Sequence, residues 1–468
     1  MARTDRTGRS EAPRRKALAL FLACTAGFAP AGADAQSLLP ATTAENAQAL
    51  PPDTAPAPDI ISAYADPPYE EDLYRDYEEP LDEGPQAIDA GETPLVRGDP
   101  TGIRLGTFLL RLSTGQTVNR ETTRIGDTKT ERDYLGTAIR GTLSSDWSRH
   151  ALTITGEGTF ERDIGGDDAF EPEGRIGADL RLDLAGGTLV DITGGYGFER
   201  EDNEDPNAIG GASVQSGMHR FDGGLAVERG TGRLRSLAAL GVSREIYTDA
   251  KLRDGSHISF GDRDRTVVDG RLRLGYEISP AIIPFVEIAS GRGLYDDTYD
   301  RNGYRRSSWT RAARTGAEFD FGEKLRGELG IGYARTDYDD NRLAALDAVT
   351  FDGRAVWSPQ RGTDVELALA TRLRDATAPG ESGWVEYDLT GTVTHQLRHN
   401  LVGRLTGGTL LRDFPQRGNE TTWIAGAGLD WNLTPHLDLT GNVEYEHNSR
   451  SGPDTDLWRA GIGLTMRR

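Results

Sequence analysis

The sequence has a single cysteine, Cys24, among 468 residues. It sits in an apolar run near the N-terminus, so the remainder has no disulfide framework and no cysteine-based metal site. No run of about 18 apolar residues occurs elsewhere, which excludes a helical membrane span. Apolar residues make up only 36% and mean hydropathy is −0.53. That is too little for a large soluble core, but it fits a disordered chain or a wide barrel with a wet interior. Basic residues number 53 against 74 acidic ones, for a net charge of −21. Nucleic acid is thereby excluded as a partner, because phosphate binding needs a basic surface. The seven histidines (His150, His219, His257, His395, His399, His436 and His447) are scattered. They form no Ser–His–acid or His–Glu spacing, and the glycines form no phosphate-binding loop before a helix. The sequence therefore predicts no enzyme, no cofactor and no metal.

What is present begins with an address. Residues 1–16 carry Arg3, Arg6, Arg9, Arg14, Arg15 and Lys16, residues 17–29 are apolar, and Ala33 and Ala35 bracket a small-x-small site. This reads as a signal peptide over residues 1–35. Residues 36–100 are different: rich in proline, with about thirteen more acidic than basic residues. They predict a disordered periplasmic leader. Its densest part, residues 69–84, is a solvated tail or an acidic segment reaching a pore mouth and biasing it against anions.

From residue 101 the texture becomes uniform. Stretches of about 10–14 residues alternate with period two, joined by short turns and longer polar loops in rotation. In residues 175–185, Ile176, Ala178, Leu180, Leu182 and Leu184 oppose Asp179, Arg181 and Asp183. In residues 326–334, Leu329, Ile331 and Tyr333 oppose Arg326 and Glu328. Residues 363–374 set Val365, Leu367, Leu369 and Leu373 against Asp364, Glu366 and Arg372. The strands exceed the usual ~5–6 residues of a soluble sandwich and match the ~9–11 of a tilted membrane-spanning strand. Short turns at Gly186-Gly187, Ser279-Pro280, Ser358-Pro359 and Thr434-Pro435 rotate with long loops such as 163–173, 199–216, 295–306 and 336–342. The fold class predicted is all-β: a transmembrane antiparallel up-and-down β-barrel over residues 101–468. The count is about eighteen strands; sixteen is the alternative, because residues 115–132 and 374–383 are blurred.

Residues 456–466 (DLWRAGIGLTM) predict the closing strand. Arg459, Gly461, Leu464 and Met466 match the terminal signal read by the barrel-insertion machinery, apart from the two arginines that follow Met466. The tryptophans sort to strand ends, as lipid-facing girdles require. Trp147, Trp357 and Trp431 fall at short turns, and Trp309, Trp423 and Trp458 fall below long loops. Trp384 is the exception, pointing inward or sitting on a bulge.

The segments GIRLGTFLLR (102–111), SSDWSRHAL (144–152), ISPAIIPFVE (278–287) and FDGRAVWSP (351–359) resemble the beta-barrel porin 2 family of Gram-negative outer membranes. The resemblance implies an outer-membrane barrel of porin type with undefined substrates and no catalytic residues to transfer. On this reading the lumen is the functional surface. Its selectivity candidates are Arg181, Asp183, Arg271, Arg273, Glu318, Arg326, Glu328, Arg354, Glu366, Arg372 and Glu444. The expected function is passive diffusion of small hydrophilic solutes, with outer-membrane lipid and lipopolysaccharide as surroundings and a homo-oligomer as an open option. The alternative is a non-conducting structural or surface-interaction barrel.

Overall fold

A computed structural model describes residues 102–164, 170–201, 205–210, 212–450 and 452–468. The signal peptide and the leader both lie outside the described residues. Eighteen long strands form one closed antiparallel sheet. In chain order the first nine are β1 Phe108–Ile125, β2 Thr128–Ser145, β3 His150–Asp163, β4 Phe170–Leu184, β5 Thr188–Arg200, β6 Gly217–Thr231, β7 Leu234–Tyr247, β8 Arg265–Tyr276 and β9 Ile282–Tyr295. The rest are β10 Ser308–Asp320, β11 Leu325–Tyr338, β12 Leu346–Gln360, β13 Thr363–Asp375, β14 Gly383–Arg398, β15 Leu401–Asp413, β16 Glu420–Thr434, β17 Leu437–Ser449 and β18 Thr455–Arg467.

The period-two pattern dictates this arrangement, because successive side chains on a strand point to opposite faces. The apolar set faces outward: Val118, Ile139, Ile176, Leu240, Leu272, Ile288, Leu329, Leu405 and Ile462 are all large, apolar and exposed. The charged set faces the lumen. Closure comes from β18 pairing with β1, from Ser113↔Arg467 to Ile125↔Thr455. Gly461 leaves room at this seam for the side-chain amides of Asn119 and Asn442, which a Cβ there would push aside.

The first wall strand begins later than the sequence suggested. Ile103–Leu105 folds back on β1 through a turn at Gly106, pairing Leu105 with Phe108. The blurred residues 115–132 are the upper parts of β1 and β2, each 18 residues long and joined at residues 126–127. Their outward positions include Arg120, Arg124, Lys129, Glu131 and Asp133, and this polar extension is what hides the alternation. Ser358 and Pro359 lie inside β12, whose turn is at residues 361–362. The six girdle tryptophans Trp147, Trp309, Trp357, Trp423, Trp431 and Trp458 are 40–51% exposed and face outward. Trp423 and Trp431 are eight residues apart on one strand, roughly 20 Å along the normal at ~40° tilt.

One hairpin leaves the wall. The ladder between β12 and β13 runs only from Gln360↔Thr363 to Gly353↔Leu369. Above it, side chains replace the ladder: the Thr371 hydroxyl donates to the Phe351 carbonyl at 3.0 Å, and the Thr371 amide donates to Asp352 at 3.0 Å. The upper part of β13–β14 then tucks inside. Leu373 and Val385, on the face that points outward lower down, pack against Ala334, Leu346 and Ala348 on the inner face of β11 and β12. Trp384, only 3% exposed, packs against Phe414 and Ala376 with ring centroids 5.4 Å from Phe414. This explains why Trp384 breaks the girdle pattern.

Candidate functional site: the lumen and its inner hairpin

The lumen holds a cavity of about 1250 Å³ lined mainly by β1–β8 and β13–β18. No residue of β10, β11 or β12 lines it, because the tucked hairpin covers their inner face. Charged walls inside a barrel are stable only when hydrated or paired, and both solutions occur.

Below the hairpin, β8–β11 build a compact ion network. The Arg273 guanidinium donates to Glu287 at 2.6 Å, to Glu318 at 2.8 Å and to Glu328 at 2.7 Å. Arg314 donates to Glu287 at 2.8 Å and lies 3.1 Å from Glu328. Both guanidiniums lie over the Phe285 ring, at 4.1 and 5.4 Å. Gly316 admits that ring: a Cβ there would meet it at 2.6 Å. Register makes the network necessary, since Glu318 and Glu328 are directly opposed and like charges so placed repel.

At the long-loop mouth the hairpin tip is anchored from three sides. Arg306, buried and bonded to Asp300 at 2.6 Å, donates to the carbonyls of Ala376, Ala378 and Glu381. The Tyr338 hydroxyl lies 2.6 Å from a carboxylate oxygen of Asp375 and 2.8 Å from the Ser382 carbonyl, both acceptors for its single proton. Asn207, from the β5–β6 loop, donates to the Asp375 carbonyl and accepts from the Thr377 amide. Arg263 joins Thr377 to Glu201, donating at 3.1 and 2.7 Å. Burial pushes the Glu201 carboxyl up to about 7, against the opposing pull of Arg263. Asp340, outside the strands, is held well below the usual carboxylate range by hydrogen bonds from Arg342 and from the Arg305 amide.

The sequence-predicted lumen residues all fall on inward positions, but they do not form one site. Arg273, Glu318 and Glu328 share the network just described. Arg372 lies 3.7 Å from Glu386, a buried carboxylate also approached by Arg374 and Arg412. Glu444 pairs with Arg459, which donates as well to Glu121 and Glu446. Arg181 with Asp183, and Arg354 with Glu366, are loose pairs at 3.5 and 3.8 Å near the short-turn end. Arg271 lines the cavity, and Arg326 is exposed on the lower wall. The anchors Arg306, Tyr338 and Asn207 were missed, since they lie at strand ends and in loops where alternation carries no signal. His395 and His447 face outward. They contact Thr363 at 2.7 Å and Asp456 at 2.8 Å.

Residues 97–468 match the model of the family described as Putative beta-barrel porin 2. The chain belongs to that family. No curated protein matches it. Among solved structures, it is similar in shape to the outer membrane protein OpdK of Pseudomonas aeruginosa, at 12% identity and TM-score 0.40, covering 77% of this chain and 99% of that one. Acinetobacter baumannii OccAB4 gives 10%, 0.41, 77% and 98%; a BenF-like porin of Pseudomonas fluorescens Pf-5 gives 11%, 0.41, 78% and 100%. The family match, rather than these likenesses, places the chain. The porin is thus an outer-membrane β-barrel whose lumen is a passive diffusion path for small solutes.

Proposed function

We propose that the porin admits small hydrophilic solutes along the side of the lumen left bare by the tucked hairpin, with selectivity set by charged residues of both signs. The observation that carries this reading is the lining itself. Arg220, Arg271, Arg372 and Arg404 share the cavity wall with Asp179, Asp191, Asp222 and Asp430. Fixed charges of both signs at close quarters discriminate by sign and orientation of a solute's own charges rather than by size alone. The hairpin narrows the path, so conductance is expected to be small for an eighteen-stranded barrel. No catalytic role is part of this reading. Export by the signal peptide and insertion through the C-terminal strand signal (Arg459, Gly461, Leu464, Met466) belong to it.

Single-channel recording of the purified full chain in a planar bilayer tests it. The expected result is a small ohmic conductance whose ion selectivity weakens as salt screens the wall. Absence of current at any salt or voltage would favour the non-conducting barrel.

A further inference from the structure

Across the strand registers of the described residues, cations stand directly opposite each other at two places: Arg311↔Arg335 on β10–β11, and Arg124↔Lys129 on β1–β2. Both pairs are on outward positions, at the long-loop end, and next to a girdle tryptophan in the strand pattern. Trp309 is two residues before Arg311 on the same face. Trp458 is paired with Thr122, two residues before Arg124. Like charges directly opposed across a strand pair are destabilising unless a counter-ion joins them. The lumen shows the internal remedy, with Arg273 inserted between Glu318 and Glu328.

The outward pairs are only partly answered by the protein. Asp337 holds Arg335 at 2.8 Å but Arg311 at 3.5 Å, and the Arg311 side chain is 66% exposed. Asp347, opposite Arg335, accepts from the Tyr333 hydroxyl. Arg292 is bonded to Asp339 and stacks toward Trp309 at 5.5 Å. At the other site Lys129 holds Glu131 at 2.5 Å and Arg120 holds Asp133 at 2.8 Å. Asp456, opposite Arg124, is taken by the Tyr445 hydroxyl and His447. Each site thus offers an exposed guanidinium beside an aromatic, at the depth where head groups meet acyl chains.

Resting on the outer-membrane porin reading, we infer that these two patches bind the phosphates of a glycolipid of the outer leaflet, lipopolysaccharide. Arginine forks match phosphate oxygens two at a time, and the neighbouring tryptophan supplies an apolar face for the first acyl carbons. The sites lie nine strands apart in a ring of eighteen, on opposite sides of the barrel, so each takes its own lipid molecule.

The test is native mass spectrometry of the full chain in detergent after incubation with lipid A carrying both phosphates, with dephosphorylated lipid A, or with inorganic phosphate as competitor. The wild-type protein is expected to retain up to two bisphosphorylated lipids. R311Q/R335Q and R124Q/K129Q should each lower retention about tenfold at one site, and R311K/R335K should lower it less, because charge remains but the fork is lost. Equal retention by the glutamine variants overturns the assignment, as does equal retention of the dephosphorylated lipid. Displacement by inorganic phosphate alone overturns the lipid as the source. Heat-modifiable gel mobility confirms that each variant folds. Planar-bilayer current through the wild type tests the channel reading independently, so the two failures are distinguishable.

Discussion

The two sides of this barrel are built from the same alternating pattern and end up as different materials. Around β2–β6 the inner face is bare, glycine-rich and open to the cavity. Around β10–β12 the inner face is covered, and its buried residues, Ala334, Leu346, Ala348, Thr310, Arg314 and Glu328 among them, resemble a small protein core. The difference is not in the wall strands. It comes from one hairpin that leaves its neighbour at Asp352 and Thr371 and lays its apolar face on them. A porin wall can therefore be given an interior on one side only, and solutes meet the other.

The largest expected effect comes from releasing the hairpin. R306A removes a buried guanidinium that bonds Asp300 and three carbonyls, leaving Asp300 only the amides of Asn302 and Tyr304, which costs about 3–5 kcal/mol of local stability. The expected outcome is a conductance raised roughly twofold, with frequent transitions, as the covered wall becomes bare. An unchanged, quiet current in bilayer recording would show that the hairpin does not divide the lumen. Next is W384A. Truncating a buried aromatic costs about 3–5 kcal/mol, whereas W357A, whose ring meets only the lipid interface, should cost less. Comparing the temperatures at which heat-modifiable mobility is lost checks this contrast, and equal shifts would erase the distinction between the two tryptophans.

A smaller effect separates the walls by charge. D191N on the bare side should move the cation-to-anion permeability ratio toward anions by roughly twofold while the barrel stays folded. E318Q, inside the covered network, should leave that ratio unchanged. Reversal potentials in a salt gradient decide between them. The smallest effect is with pH. Glu201 binds its proton more tightly in the folded protein, where its value is about 7, than in an unfolded chain. The stabilisation it gives is complete below about 4.5 and is lost as pH rises through 7. The packing around Glu201 should thus be firmest near pH 5, where the buried carboxyl is neutral and its ion pair with Arg263 is weakened, and current should fluctuate more at pH 8, where that carboxyl carries its charge. E201Q should flatten that profile, and a wild-type profile already flat from pH 5 to 8 would remove Glu201 from gating.

Alternation was enough to read the wall from sequence: which side of Arg181, Glu366 or Leu405 faces water follows from counting by two. It could not reveal the inner hairpin, because residues 365–373 and 385–393 alternate like any other strands, and whether Leu373 meets lipid or Ala348 is decided by tertiary packing. The one local sign was Trp384, a tryptophan on the wrong face. The partners within the lumen were equally hidden. Arg273 meets Glu287, Glu318 and Glu328 only because register places four neighbouring strands in step. Parity gives the face of a side chain, but not its partner.

The seam between β1 and β18 has a consequence for timing. Its two halves are separated by nearly the whole chain, yet they share thirteen paired positions. Until β18 arrives, β1 carries an open row of amides and carbonyls, which is the surface on which strands of other chains add and aggregate. The slowest contact to form is therefore also the one whose absence is most hazardous. The crowding of Gly461 between Asn119 and Asn442 then acts as a fitting test. A strand with a side chain at that point would have to push both amides aside before it could seat, which favours the barrel's own last strand at the joint.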